Sequence, residues 1–215
     1  MPDPAPALPR LYAILDVELT ASRGLSPQAV VHDWLDAGVR LIQLRAKSMS
    51  LGPFLELASA LAPACRAAGA QFIVNDRADV ARLVGASGVH VGQDDLTPAE
   101  VRRIAPESRL IGLSTHNDVQ IAAGLATPAA YLAMGPVFGT TTKARPDPVV
   151  GLEGITRAMA RLRGTGRPLV AIGGIDVETA PAVVAAGAAS VAVISDLIAG
   201  NDIAARARAF VRALG

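Results

Sequence analysis

Two acids and three cations draw attention first: Asp76 and Asp95, and Arg45, Lys47 and Lys143. Guanidinium and ammonium groups make strong, charge-assisted hydrogen bonds to phosphate oxygens. Carboxylates are hard oxygen ligands, and Mg2+ is usually held by one or two of them together with substrate phosphates and waters. Brought to one place with an amide, this set suggests a Mg2+–diphosphate site. Gly173-Gly174 and Ile194-Ser195 suggest a second anion, a monophosphate, because glycine lets an oxyanion approach backbone N–H groups closely and helix N-termini add positive potential. Each feature alone has a blander reading. Asp95 suits a helix N-terminus, Arg45 and Lys47 suit a solvated loop, and paired glycines suit a tight turn.

Other reactive residue types point elsewhere. His116 lies close to Ser114, but no acid is evident for a Ser–His–Asp nucleophile, and a serine that only binds phosphate needs none. The single cysteine, Cys65, rules out an intrachain disulfide framework and a cysteine-cage zinc site. It falls on an alanine-rich face of a predicted helix and reads as core. The three histidines are far apart, which argues against a histidine-rich metal centre. His32 and Trp34 read as helix surface and packing, whereas His90 lies inside a predicted strand and can point inward.

The elements that must position these residues alternate along the chain. Short apolar runs read as strands: Leu11–Leu15, Leu41–Leu44, Phe72–Val74, Val89–Val91, Leu110–Leu113, Tyr131–Met134, Leu169–Ile172 and Val191–Ile194. They are apolar throughout, as parallel strands covered on both faces are. Helical signals lie between them. Ser26-Pro27 offers an N-cap and a proline at the first helical position, and Thr97-Pro98 with Glu100 has capping-box spacing. Gly38, Gly69 and Gly187 mark helix ends before strands.

Eight strand–helix units at about 25 residues each predict a single-domain α/β protein, a (β/α)8 TIM barrel over residues 11–215. An open doubly wound sheet is the alternative, but DVELTASRG after the first strand lacks its glycine-rich turn. Active sites of such barrels gather at the C-terminal strand ends. There stand Gln43, Arg45 and Lys47, Asn75 and Asp76, Asp95, Ser114, Thr140 to Lys143, Gly173 and Ser195. The aperiodic stretch Phe138–Gly151 reads as a lid.

Composition narrows the function class. Of 215 residues, 51% are hydrophobic and 18% charged, with formal net charge +1, which argues against a nucleic-acid binder or a polybasic membrane-surface protein. The proline-rich start, MPDPAPALPR, reads as a flexible arm over residues 1–10 rather than a signal peptide. The charge-free stretch from Thr179 to Ser195 contains Pro181 and Gly187 and is too short to span a membrane. The expected compartment is the cytoplasm. The oligomeric state stays open, a homo-oligomer included.

The phrases QLRAK, NDR, VHVGQDDL, GLSTH, GPVFGTTTK, GLEG, AIGGI and VAVIS stand in the order seen in thiamine-phosphate synthases, and the chain resembles that family from about Leu11 to its C-terminal helix. The resemblance implies a transferase that joins hydroxymethylpyrimidine diphosphate to thiazole phosphate, giving thiamine phosphate and diphosphate. It implies pyrimidine-diphosphate contacts from Gln43, Arg45, Lys47, Asn75, Ser114 and Lys143, with Arg45, Ser114 and Lys143 closest to the chemistry. It implies Mg2+ on Asp76 and Asp95, and a thiazole-phosphate site from Thr140, Thr142, Gly173, Ile194 and Ser195. Its expected partners are small phosphorylated substrates, with no nucleic acid or membrane.

Small departures accompany the match. The YAILD opening is less typical of the family, though Asp16 remains. Arg145 and the PDP of the lid vary as lids commonly do. Asp196 would oppose a phosphate beside Ser195 unless its side chain points away. Two alternatives are a thiazole tautomerase-like isomerase, with His116 as proton carrier, and a non-catalytic phosphate-ligand binding module. An isomerase has no diphosphate to hold, so the cation set favours the synthase.

Overall fold

The computed structural model describes residues 7–140 and 147–215. Strands β1 (Leu11–Asp16), β2 (Leu41–Arg45), β3 (Gln71–Asn75), β4 (Gly88–Val91), β5 (Leu110–Thr115), β6 (Tyr131–Met134), β7 (Leu169–Ile172) and β8 (Ser190–Val193) close into a barrel in chain order. Every neighbouring pair is parallel, and closure comes where Leu11 of β1 pairs with Val191 of β8. Closure excludes the open sheet.

The sequence leads to eight helices; the described residues hold nine α-helices: α1 (Val17–Ser22), α2 (Pro27–Asp36), α3 (Leu51–Ala67), α4 (Ala78–Val84), α5 (Pro98–Ile104), α6 (Asp118–Leu125), α7 (Gly151–Leu162), α8 (Ala180–Ala185) and α9 (Ile203–Leu214). The additional one is α1. Asp16 ends β1 and caps α1, its carboxylate accepting the Leu19 N–H at 3.0 Å. The helix therefore starts with no loop, which hides it from a search for turn residues. The expected caps form: Ser26 Oγ accepts from Ala29 N–H, and Thr97 with Glu100 makes the reciprocal capping box. After α2, α3 and α8 the chain turns through Gly38, Gly69 and Gly187 at φ of 97°, 68° and 113°, a region open to glycine at little cost.

Side chains alternate across each strand. One set, including Tyr12, Ile14, Leu41, Ile73, Leu110, Tyr131 and Val170, fills the barrel interior. The alternate set, including Ala13, Leu15, Ile42, Leu44, Phe72 and Val74, packs outward against the helices. Burying each Leu or Ile contributes about 1.5–3 kcal/mol, and both faces of the sheet gain this way. Trp34 and Cys65 belong to the outer layer and His32 is exposed. Leu8 packs against the inner cluster, and the Arg10 carbonyl accepts the Val191 N–H at 2.8 Å. Among the described residues no helix is long and apolar enough to cross a membrane; Thr179 to Ser195 forms the N-cap and body of α8, its turn and β8.

The same alternation places the chemistry. Gln43 and Arg45 follow Leu41 on the inner face of β2, Asn75 follows Ile73, and Ser114 follows Leu110 and Gly112. All lie toward the C-terminal end of the barrel.

Candidate active site

One cavity opens at that end. Gln43, Arg45, Asn75 and Ser114 line one side, and Thr140, Gly173, Ile194 and Ser195 the other. Eight of the residues expected at the site from six different strand ends and loops therefore share one space. Thr142 and Lys143 lie outside the described residues.

Lys47, Asp76 and Asp95 form a separate group at the rim. Lys47 Nζ stands 2.5 Å from Asp76 Oδ2 and 3.9 Å from Asp95 Oδ2. Asp76 takes φ of +61°, uncommon for a residue other than glycine. Its N–H donates to the His90 carbonyl at 2.9 Å, which ties this conformation to β4. Burial pushes the Asp76 carboxyl above the usual range, the Lys47 ammonium pulls it back, and the neighbouring Asp95 carboxylate adds to the rise. For Asp95, burial also acts upward, but the Gly92 N–H at 2.9 Å and Lys47 hold it below the usual range. Two neighbouring hard-oxygen donors open to solvent fit what Mg2+ asks of a protein that leaves its other positions to phosphate and water. Among the described residues no group of three or more His, Cys, Asp or Glu forms a more complete cage.

Arg45 is anchored from below by Asp16, an ion pair with the carboxylate 6% exposed. Besides capping α1, Asp16 thus aims a guanidinium into the mouth. Glu18 of α1 accepts from both N–H and Oγ of Ser48 at 2.8 Å, bracing the loop that carries Lys47.

Beneath the cavity, polar side chains run across the barrel. Gln43 Nε2 donates to Tyr12 Oη at 2.6 Å, and Tyr12 Oη lies 3.0 Å from Tyr131 Oη. Tyr131 Oη lies 3.0 Å from His90 Nδ1, and His90 Nε2 lies 2.8 Å from Ser114 Oγ. Burial pushes the His90 pKa down to about 4, so the ring is neutral near pH 7. Burial raises both phenols above their ordinary value, keeping them protonated. The sequence reading foresaw His90 pointing inward but missed Tyr12 and Tyr131, which looked like strand apolar residues. Their two-residue spacing from Ile14 and Ala133 was the available signal.

At the opposite wall, Gly173 and Gly174 have φ of +100° and +66°. A Cβ on Gly173 would meet Pro136 at 2.5 Å, and one on Gly174 would meet the Gly139 carbonyl at 2.5 Å. Close packing against the loop after β6 is thus one reason for this pair, beside any approach of an anion. Asp196 turns away: its carboxylate pairs with Arg206 at 2.5 and 2.6 Å and accepts the Val177 N–H at 3.2 Å. Its charge is held there rather than beside Ser195. His116 has a nearby acid after all, correcting the sequence reading: Asp147 Oδ2 is 3.4 Å from its Nδ1, which also lies 2.8 Å from the Gly135 carbonyl. That acid follows β6 and lies 31 residues beyond His116 in the sequence. Ser114 points to His90 instead, so the three do not form a nucleophile triad.

Comparison with known proteins matches this geometry to a lineage. The family model described as thiamine monophosphate synthase matches residues 11–197. The chain belongs to the thiamine monophosphate synthase family. It is 42% identical over 214 residues to a thiamine-phosphate synthase of Koribacter versatilis, covering 96% of each chain. To the corresponding enzyme of Laribacter hongkongensis it is 44% identical over 199 residues, covering 92% of each. A solved thiamine phosphate pyrophosphorylase of Pyrococcus furiosus superposes with a TM-score of 0.85 at 30% identity, over 95% of each chain. These relatives support neither the isomerase nor the non-catalytic reading.

Proposed function

We propose that this family member acts as a Mg2+-dependent thiamine-phosphate synthase, joining hydroxymethylpyrimidine diphosphate to thiazole phosphate and releasing diphosphate. The observation that carries this reading is the shared cavity: an amide, a guanidinium and a hydroxyl on one wall face a glycine-lined wall, with two carboxylates and an ammonium at the rim. That layout suits a large diphosphate-bearing ring on one side and a small phosphate ester on the other.

Gln43, Asn75 and Ser114 would orient the pyrimidine, and Arg45, Lys47 and Lys143 would hold the diphosphate. Asp76 and Asp95 would hold the cation. When bound, Mg2+ supplies positive charge to a departing diphosphate. Arg45 adds a fixed guanidinium whose orientation is set by Asp16 before substrate arrives, so little reorganisation is needed as charge develops. The electron-rich aminopyrimidine then bears positive charge at its methylene as the C–O bond breaks. The thiazole nitrogen, positioned from the wall of Thr140, Thr142, Gly173, Ile194 and Ser195, donates its lone pair to that carbon. Positioning of this kind is worth about 7–11 kcal/mol in favourable cases. The 138–151 segment excludes water, which would otherwise capture the same carbon. No protein nucleophile is required. The proposed compartment is the cytoplasm, because multiply charged phosphate esters do not partition into an apolar bilayer unaided.

The deciding experiment supplies both substrates with Mg2+, measures thiamine phosphate and diphosphate, and repeats the measurement with a chelator. Equimolar products with Mg2+ and none after chelation support the reading. Absence of thiamine phosphate, or unchanged rates after chelation, refutes the synthase or the metal assignment respectively.

A further inference from the structure

The hydrogen bonds beneath the cavity can run in only one direction once their first member is placed. Gln43 Nε2 has only hydrogens to give, and it gives one to Tyr12 Oη at 2.6 Å. Tyr12 Oη therefore accepts there, and its single hydrogen goes to Tyr131 Oη at 3.0 Å. Tyr131 must then donate to His90 Nδ1 at 3.0 Å. A neutral imidazole accepting at Nδ1 carries its hydrogen on Nε2. That hydrogen points to Ser114 Oγ at 2.8 Å, so Ser114 accepts from below and its own hydrogen is left for the cavity. At the other end, Gln43 lines the cavity, and its amide oxygen and second Nε2 hydrogen are not used by the path.

A separate feature of the backbone makes room for this path. Gly112 of β5 is in register with His90 of β4 on one side and Tyr131 of β6 on the other. A Cβ there would lie 2.1 Å from Tyr131 Cζ and 2.5 Å from His90 Nδ1. The missing side chain at Gly112 is thus what lets the two rings stack at 5.6 Å between centroids and share a hydrogen bond.

We infer that Tyr12, Tyr131 and His90 are positioning residues that polarise the cavity floor, fixing which way the Gln43 amide faces and leaving the Ser114 hydrogen free, so that the Gln43 oxygen and the Ser114 hydroxyl hydrogen are what the two ends present to the substrate ring. The inference rests on the synthase reading for the identity of that ring. An aminopyrimidine satisfies both ends, with an amino N–H for Gln43 and a ring nitrogen for Ser114. A 4-oxo ring sets a carbonyl oxygen against the Gln43 oxygen. To accept it the amide must turn over, and every hydrogen in the path must reverse with it. The cost of reversal is shared by five side chains, which makes the floor more selective than a lone glutamine.

Two measurements test this. The first is the tautomer of His90 by nitrogen-15 NMR of the whole, ligand-free protein; the chain has three histidines, and His90→Gln identifies the signal. The expected result is a neutral ring with hydrogen on Nε2. Hydrogen on Nδ1 overturns the proposed polarity whether or not the enzyme is active. The second compares kcat/KM for the aminopyrimidine diphosphate and its 4-oxo analogue in the wild type, Tyr12→Phe and Tyr131→Phe, each checked for folding by circular dichroism. Both variants keep their rings, and the expected result is a tenfold or greater fall in the amino-to-oxo preference. An equal loss on both substrates, with preference unchanged, reduces these tyrosines to packing and overturns the inference. If the wild type makes no thiamine phosphate the synthase reading fails, and the tautomer still decides the polarity.

Discussion

Gly112→Ala is the most exacting test of the barrel floor. The new methyl carbon would lie 2.1 Å from Tyr131 Cζ and 2.3 Å from its Oη. Carbon atoms rest at about 3.5–4.0 Å, so something must move by about 1.5 Å. Tyr131 cannot retreat freely: it is 0% exposed, and the Tyr12 ring stands edge-on to it at 6.1 Å. Overpacking of this kind costs about 1–3 kcal/mol. A displaced Tyr131 also leaves His90 or Tyr12 without its buried partner, at about 1–3 kcal/mol more. The expected loss is therefore about 2–6 kcal/mol, a large share of the about 5–15 kcal/mol that holds a typical protein folded. Urea unfolding followed by circular dichroism reads it as a lowered midpoint, and kcat/KM should fall as well. Gly52→Ala is the control. A Cβ there meets nothing within 4 Å beyond its chain neighbours on helix α3, and the helical gain over glycine is offset by Pro53, which disfavours a Cβ on the residue before it, so stability should change by no more than about 1 kcal/mol. Adding Tyr131→Ala to Gly112→Ala removes the two shortest contacts and leaves the one to His90 Nδ1 at 2.5 Å, so the pair should be less damaging than the sum of the two changes. A Gly112→Ala protein as stable and as active as the Gly52→Ala control would refute the packing argument.

Four further outcomes follow from the same structure. Asp76→Ala should abolish Mg2+-dependent turnover while leaving the fold intact by circular dichroism; wild-type rates in that variant would end the metal assignment. Arg45→Met should lower stability by about 2–3 kcal/mol, because it strands the buried Asp16 carboxylate; adding Asp16→Asn should restore much of the stability in urea unfolding but none of the turnover. Cys65 is fully buried, and burial pushes its thiol up to about 11, so a thiol reagent at pH 8 should label it only after denaturant is added. Finally, His90 binds a proton at about 4 when folded and near 6.5 when unfolded. Between those values the unfolded chain holds the extra proton, so stability falls as pH drops from about 6.5 to 4, by up to about 3 kcal/mol. The His90→Gln variant should lose less over that window in urea titrations at stepped pH, and an identical decline would count against a buried neutral ring.

The sequence by itself determined the barrel. Eight apolar runs at even spacing leave few other ways to bury both faces of each strand, and Ser26, Thr97, Gly38 and Gly187 mark where helices start and stop through local chemistry that needs no distant partner. It also named most of the wall, because the polar residue types in the C-terminal halves of strands β2, β3 and β5 are out of place in a core. The structure alone decided how those residues are held and aimed. Asp16 serves Arg45 and α1 together, Asp147 reaches His116 from a segment far along the chain, and Asp196 is turned aside by Arg206. Tyr12, His90, Tyr131 and Ser114 become one path only when β1, β4, β5 and β6 close around a common axis. Hydrogen bonds act over about 3 Å and depend on angle. Residues separated by most of the chain come within that reach only through the register of the folded sheet, which pattern along the sequence does not contain.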